Sequence, residues 1–85
     1  MRLHLKFFAS LREALGPGET LEWPHGENPT AGALRDWLRA RSEAHALALA
    51  PGRAVRVAVD QIMAGEATPL HEGAEVAFFP PVTGG

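Results

Sequence analysis

Eighty-five residues, 46% of them hydrophobic and 21% charged, describe one small domain of ordinary globular composition, with a single compact core and no room for a large enclosed active site. A net charge of −2 offers no basic stripe for nucleic acid, and no apolar run approaches the ~20 residues of a membrane span. The absence of cysteine excludes disulfides, thiolate metal sites and cysteine nucleophiles.

The N-terminal run Met1-Arg2-Leu3-His4-Leu5-Lys6 has charges among its apolar residues and no cleavage site. It is therefore not read as a signal peptide, and a cytoplasmic location is expected. Leu3, Leu5 and Phe7 alternate with Arg2, His4 and Lys6, which predicts a half-buried strand. Phe8 breaks the alternation, at the strand end or on an exposed face near it. Leu11, Ala14 and Leu15 have helical spacing over one or two turns within Ala9 to Leu15. Gly16-Pro17-Gly18 is a turn, and Glu19 to Trp23 reads as a second strand with Leu21 and Trp23 on one face. The two strands are expected to pair as an antiparallel hairpin.

Pro24 to Pro29 is a loop, and Thr30 is a good N-cap. Leu34, Trp37, Leu38 and Arg41 then fall at the spacing of one amphipathic helix, with Arg35, Asp36, Arg39 and Arg41 on its wet side. Glu43 to Leu49 continues as a short helical piece. Val55, Val57 and Val59 alternate with Arg56 and Ala58 as a third strand. Asp60-Gln61 is a tight turn into a very short strand, Ile62 to Ala64. His71-Glu72-Gly73 turns the chain into the last strand, Glu75 to Phe79.

The order β-β-α-β-(β)-β with one apolar helix stripe implies an α+β domain spanning residues 1–85. Its mixed sheet of four to five strands has one main helix packed across one face. The first and last strands are strongly hydrophobic and suit central, parallel positions. That architecture is the β-grasp. Leu3, Leu5, Phe7, Leu21, Leu34, Leu38, Val57, Val76 and Phe78 are the predicted core, and Trp23 and Trp37 are most simply core as well.

The last strand ends in Pro80-Pro81, which cannot donate to a ladder and which stiffen the exit from the sheet. Val82-Thr83-Gly84-Gly85 follows, with a flexible tail expected at about 82–85. Two glycines without Cβ atoms let a backbone pass a narrow channel and present a carboxylate alone at the tip. Elsewhere the chemistry is sparse. His4, His25, His45 and His71 lack metal-ligand spacing, so no metal site is expected. No serine sits in a nucleophile elbow, and no Gly-rich phosphate loop is present. The cluster Arg35, Arg39 and Arg41 reads as a solvated helix face. Phe79 should face away from the helix, with Phe8 and Met63 as neighbours on a docking patch, unless another loop covers them.

The string Glu75-Val76-Ala77-Phe78-Phe79-Pro80-Pro81-Val82-Thr83-Gly84-Gly85 closely resembles the C-terminus of the small subunits of molybdopterin synthase, a family of ubiquitin-like sulfur carriers. Phe7-Phe8-Ala9-Ser10-Leu11-Arg12-Glu13 is similar to the family's first-strand end. Ala33-Leu34-Arg35 and Ala46-Leu47-Ala48-Leu49 are similar to its helix region. Asp60 replaces the usual asparagine of a Val-Asn-Gln turn, and Met63 stands where leucine is common.

The resemblance implies a ubiquitin-like β-grasp fold and a sulfur carrier of molybdenum cofactor biosynthesis. An E1-like adenylyltransferase would adenylate the Gly85 carboxylate with ATP, so that nucleotide binding belongs to that step. Sulfur transfer would then give a thiocarboxylate, donated inside the large subunit to a pterin precursor. Gly85 and Gly84 would carry the chemistry. Phe79, Phe8, Met63, Arg12, Pro80, Pro81, Val82 and Thr83 would contact partners, in a heterotetramer of two small and two large subunits. The chain would bind no cofactor and be non-catalytic alone. The alternatives are a carrier of the same fold for thiamine synthesis or tRNA thiolation, and a ubiquitin-like protein modifier.

Overall fold

The computed structural model describes residues 1–81, so the expectations placed on Val82, Thr83, Gly84 and Gly85 lie outside the described residues. Alternation of apolar and polar residues gives β1 (Arg2–Phe7), whose even-numbered side chains are exposed and whose odd-numbered ones are buried. The chain continues through α1 (Ala9–Leu15), β2 (Gly18–Glu22), α2 (Ala31–Arg39), α3 (Glu43–Ala48), β3 (Arg56–Val59), β4 (Ile62–Ala64) and β5 (Glu75–Phe79). The sheet order is β2-β1-β5-β3-β4. β1 and β5 run parallel at its centre, with Leu5 opposite Val76 and Phe7 opposite Phe78. The other pairings are antiparallel. This is the α+β, β-grasp topology expected, with five strands.

Leu3, Leu5, Phe7, Leu21, Leu34, Leu38, Val57, Val76 and Phe78 are all buried, as is Trp23, whereas Trp37, also expected in the core, is only partly buried at its edge. Leu11 of α1, Leu34 and Leu38 of α2, and Ala48 of α3 join one cluster with Leu3, Leu5, Phe7, Val57, Val76 and Phe78. The three helices therefore cover the same side of the sheet. The Phe7 and Phe78 rings lie 6.0 Å apart and nearly parallel, which ties the two central strands together through their side chains as well. Trp23 is buried and packs on a half-buried Trp37, with ring centroids 5.6 Å apart.

Local signals explain the joints. Thr30 caps α2, its hydroxyl accepting from the Ala33 N–H at 3.1 Å. The carbonyls of Thr68 and Glu66 accept from Ala31 and Gly32, so the first turn of α2 has partners for its free amides. The helix stops at Arg39, before the expected Arg41. Ala40 and Arg41 donate to the carbonyls of Trp37 and Leu38, and these tighter bonds close the last turn. Asp60 and Gln61 both have positive φ, 51° and 68°, as a two-residue type I′ hairpin requires. Gly18 has φ 136°, and a Cβ there would collide with the Leu5 carbonyl oxygen, so glycine is required where β2 meets β1.

One expectation is corrected. Arg35 is not on a solvated face; only 8% of it is exposed. Its Nε donates to the Leu49 carbonyl at 2.8 Å, and its Nη2 donates to the carbonyls of Ala50 at 2.6 Å and Arg53 at 3.2 Å. Nη1 reaches Glu66 Oε1 at 3.3 Å. The planar fork satisfies carbonyls that leave α3 with no helical partner. Arg39 pairs with Asp36 and Arg41 with Glu19 on the surface, as a wet face would.

Candidate functional site

With the helices on one side, no element among the described residues covers the other side of the sheet. The residues facing it follow from the register. Lys6, Ala77, Ala58 and Met63 form one row across β1, β5, β3 and β4. Phe79 and Arg56 are Cα partners in the next row toward the C-terminus. Phe8 extends β1 by one residue in extended conformation, and its N–H donates to the Phe78 carbonyl at 3.2 Å. Strand alternation puts Phe8 on the same face as Phe79. Phe8 is 45% and Met63 59% exposed, while Phe79 is partly buried. Phe79, Phe8 and Met63 thus share an open face.

Pro80 and Pro81, both half-buried, lead away from Phe79. Because β5 is a central strand, the tail starts from the middle of the sheet and not from an edge. Ala9, next to Phe8, has φ 52°, an uncommon conformation for a residue with a Cβ, and it turns the chain sharply from β1 into α1. Arg12 lies one turn along α1, its N–H bonded to the Phe8 carbonyl at 3.3 Å. Its side chain is exposed, on a helix whose Leu11 is buried in the core.

Charge on this face is uneven. Lys6 Nζ lies 2.9 Å from Glu75 Oε1. Among the described residues, no carboxylate lies within ion-pair reach of Arg12 or Arg56. At the far end of β5, His71 Nε2 and Asp60 Oδ2 are 2.5 Å apart, and Asp60 Oδ1 accepts the Glu75 N–H at 3.0 Å. The Glu75 amide, then His71, holds the Asp60 carboxyl below its usual value. Asp60, then the Glu72 carbonyl, raises His71. The pair braces the β3–β4 turn against the start of β5.

The histidines do not converge. His4 contacts Thr20, His25 packs on Trp23, and His71 contacts Asp60. His45 contacts Ser42, the cap of α3, and its pKa is lowered by partial burial and then by Arg41. Among the described residues no group of three His, Cys, Asp or Glu could hold a metal ion. No described helix is long and apolar enough to cross a membrane.

Sequence reading alone missed Arg56, Ala58 and Ala77 as members of the face. Their signal was present in the alternation with Val57, Val76 and Phe78, but it needed the β3–β5 register to become a surface.

Comparison with known proteins supplies what the geometry lacks. A model of the ThiS family matches residues 5–85. The chain is 46% identical over 79 residues to the molybdopterin synthase sulfur carrier subunit of Escherichia coli, covering 93% of this chain and 94% of that protein. It is 32% identical over 93 residues to small archaeal modifier protein 3 of Haloferax volcanii, across the whole of both. Among solved structures, SAMP1 from Haloferax volcanii superposes with TM-score 0.74 at 26% identity, again across the whole of both chains. A subunit in the complex of subunits 1 and 2 of molybdopterin-converting factor from Helicobacter pylori shares the fold, with TM-score 0.67, 22% identity and full coverage of both.

Proposed function

This chain belongs to the ThiS family, and from that premise we propose that it is the sulfur carrier subunit of a molybdopterin synthase, working through the carboxylate of Gly85. The observation that carries the reading is the 46% identity to a sulfur carrier subunit over 93% of the chain, joined to a Gly-Gly sequence that comes after a central strand.

The chemistry fits the residues the chain has. With no cysteine it cannot carry sulfur as a persulfide, which leaves the Gly85 carboxylate as the attachment point. A carboxylate is a poor acyl electrophile. An E1-like enzyme joins one of its oxygens to the α-phosphorus of ATP and releases pyrophosphate, so that AMP becomes the leaving group. Hydrosulfide released by a sulfur donor then attacks the acyl carbon, the bond to AMP breaks, and a thiocarboxylate remains. This soft anion needs no general base from the chain when it attacks the pterin precursor held by the large subunit. The acids, bases and anion-binding groups of both steps belong to the partners. Phe79, Phe8, Met63 and Arg12 supply the docking surface, and Pro80 to Thr83 lead Gly84 and Gly85 into the partner's channel.

The test is the intact mass after incubation with the activating enzyme, ATP and a sulfur donor. Exchange of one oxygen for one sulfur, localised to Gly85 by fragmentation, is expected. An unchanged mass with an activating enzyme that loads its own carrier refutes the reading.

A second reading is favoured by the likeness to small archaeal modifier protein 3. The same activated carboxylate would then be joined to amines of other proteins. Isopeptide-linked conjugates ending in Gly85, found in cells expressing the tagged chain, would support it.

A further inference from the structure

The chain contains one lysine, seven arginines and no cysteine. Lys6 is therefore its one ε-amine, and its place on the sheet is specific. It is the Cα partner of Ala77 and projects onto the open face. Pro81 lies four residues beyond Ala77, roughly 13 Å along the strand direction. Residues 82–85 can span at most about 14 Å, so Lys6, with its long arm, falls within reach of the Gly85 carboxylate. Yet Lys6 Nζ does not lean that way. It lies 2.9 Å from Oε1 of Glu75, which stands two residues before Ala77, on the side of Lys6 away from the tail. The cations on the tail side are guanidinium groups. Arg56 is the Cα partner of Phe79, and Arg12 follows Phe8 by one turn. The other amine, at Met1, lies 3.7 Å from Glu22 Oε2, at the end of β1 remote from the tail.

We propose that the chain is built to survive activation of its own carboxylate: Glu75 turns the one lysine away from the tail, and the cations beside the tail are groups that cannot capture it. The inference rests on the function proposed above, since only an activated Gly85 needs this protection. The hazard is chemical. In the acyl-adenylate, an amine nitrogen could attack the carbonyl carbon, the bond to the AMP oxygen would break, and the amine would give up a proton to solvent. The product, an isopeptide from Gly85 to Lys6, closes the tail into a ring and removes the carboxylate from use. A thiol could form a thioester in the same way, and the chain has none. A guanidinium group stays protonated and delocalised, so arginine gives this region positive charge without a nucleophile. Arg56 and Arg12 are thus protective where lysine would carry the same charge. Glu75 is a positioning residue, because it acts through Lys6.

The experiment uses the full chain with Gly85 prepared as the thioester of mercaptoethanesulfonate, by thiol cleavage of an intein fusion, so that no activating enzyme is needed. In dilute, mildly alkaline solution, mass spectrometry separates the hydrolysed acid from the cyclic isopeptide, which is lighter by one water, and fragmentation locates the link. Wild type should be lost mainly by hydrolysis. Glu75→Gln should raise the share of Gly85–Lys6 isopeptide roughly two- to fivefold, the factor expected on losing a partly exposed ion pair. The gain should vanish when Glu75→Gln is combined with Lys6→Arg. Arg56→Lys places a second amine beside the tail, at an effective concentration in the millimolar range, and should give at least about fivefold more isopeptide than wild type, linked at position 56. A wild-type chain that cyclises faster than it hydrolyses would overturn the proposal as a whole. Equal shares in wild type and Glu75→Gln would overturn the guard on Lys6. No link at position 56 in Arg56→Lys would overturn the protective reading of arginine. Each of these failures leaves the proposed function standing, because the thioester is made chemically; that function falls on an unchanged mass with the activating enzyme, whatever the thioester does.

Discussion

Replacing Arg35 with methionine should be among the most damaging single changes available outside the apolar core. Methionine keeps the unbranched stem in place and removes only the guanidinium. What is lost is the set of charged donors to the carbonyls of Leu49, Ala50 and Arg53. A hydrogen bond from a charged donor contributes roughly 1.5–3 kcal/mol. Ala50 and Arg53 are accessible enough for water to replace part of that, but Leu49 is fully buried and its carbonyl would be orphaned, at about 1–3 kcal/mol. Together these suggest a loss of about 3–4 kcal/mol. That is a large share of the roughly 4–13 kcal/mol expected for a domain of this size. The thermal midpoint should fall by roughly 15–25 °C. The ion pair with Glu66 is not the reason, because Glu66 is 71% exposed. Glu66→Gln should therefore cost less than ~1 kcal/mol. Urea unfolding of Arg35→Met, Arg35→Lys and Glu66→Gln measures all three. Lysine, a single point donor, should fall between the other two. A loss below ~1 kcal/mol for Arg35→Met would show that the carbonyls find other partners, and the fork argument would be wrong.

Phe78→Ala should cost roughly 3–5 kcal/mol in chemical unfolding, because it empties a fully buried site. Phe79→Ala, on the opposite face, should leave stability nearly intact and weaken large-subunit binding by ~2 kcal/mol; a reversed pattern would refute the face assignment. Deleting Gly85, or adding one residue after it, moves the carboxylate by about 3.5 Å and should abolish sulfur loading or transfer, while partner binding stays nearly normal. An extended chain still loaded at the wild-type rate without trimming would refute the carrier reading. The His71–Asp60 brace predicts a pH window. His71, raised above 6.5, contributes fully below that value and loses its contribution as pH rises through its folded pKa. Asp60, lowered below 3.8, contributes above that value and loses its contribution as pH falls through its folded pKa. The brace is therefore strongest between those two values. An NMR titration of His71 should show a midpoint above 6.5, returning toward it in Asp60→Asn; a wild-type midpoint at or below 6.5 would refute the pairing.

Much of this was legible in the sequence because it is periodic. The alternation in β1 and β5 marked both strands, their buried sides and their central pairing. The Glu75-to-Gly85 string carried the family. Arg35 was misread for a physical reason. It sits at the boundary of the helix stripe beside Leu34, and its acceptors are carbonyls more than three helical turns away along the chain, where no side-chain pattern announces them. The extent of the open face was hidden for a related reason. Ala58 and Ala77 are unremarkable in one dimension and become a surface only when the antiparallel register sets them side by side.

The parallel pairing of β1 and β5 also sets an order of events during synthesis. The strand at the centre of the sheet has to wait for a neighbour encoded near the opposite end of the gene. Contacts so distant along the chain close late, since the entropy of the long loop must be overcome first. While the ribosome is still making β3 and β4, β1 can hold only β2, and its other edge stays open. The last strand to emerge fills that gap, and in sequence only Pro80 to Thr83 separate it from the glycines. A nascent chain thus presents the carboxylate on which the proposed function depends only after the element that completes the sheet, and truncated products lack both that carboxylate and a closed fold.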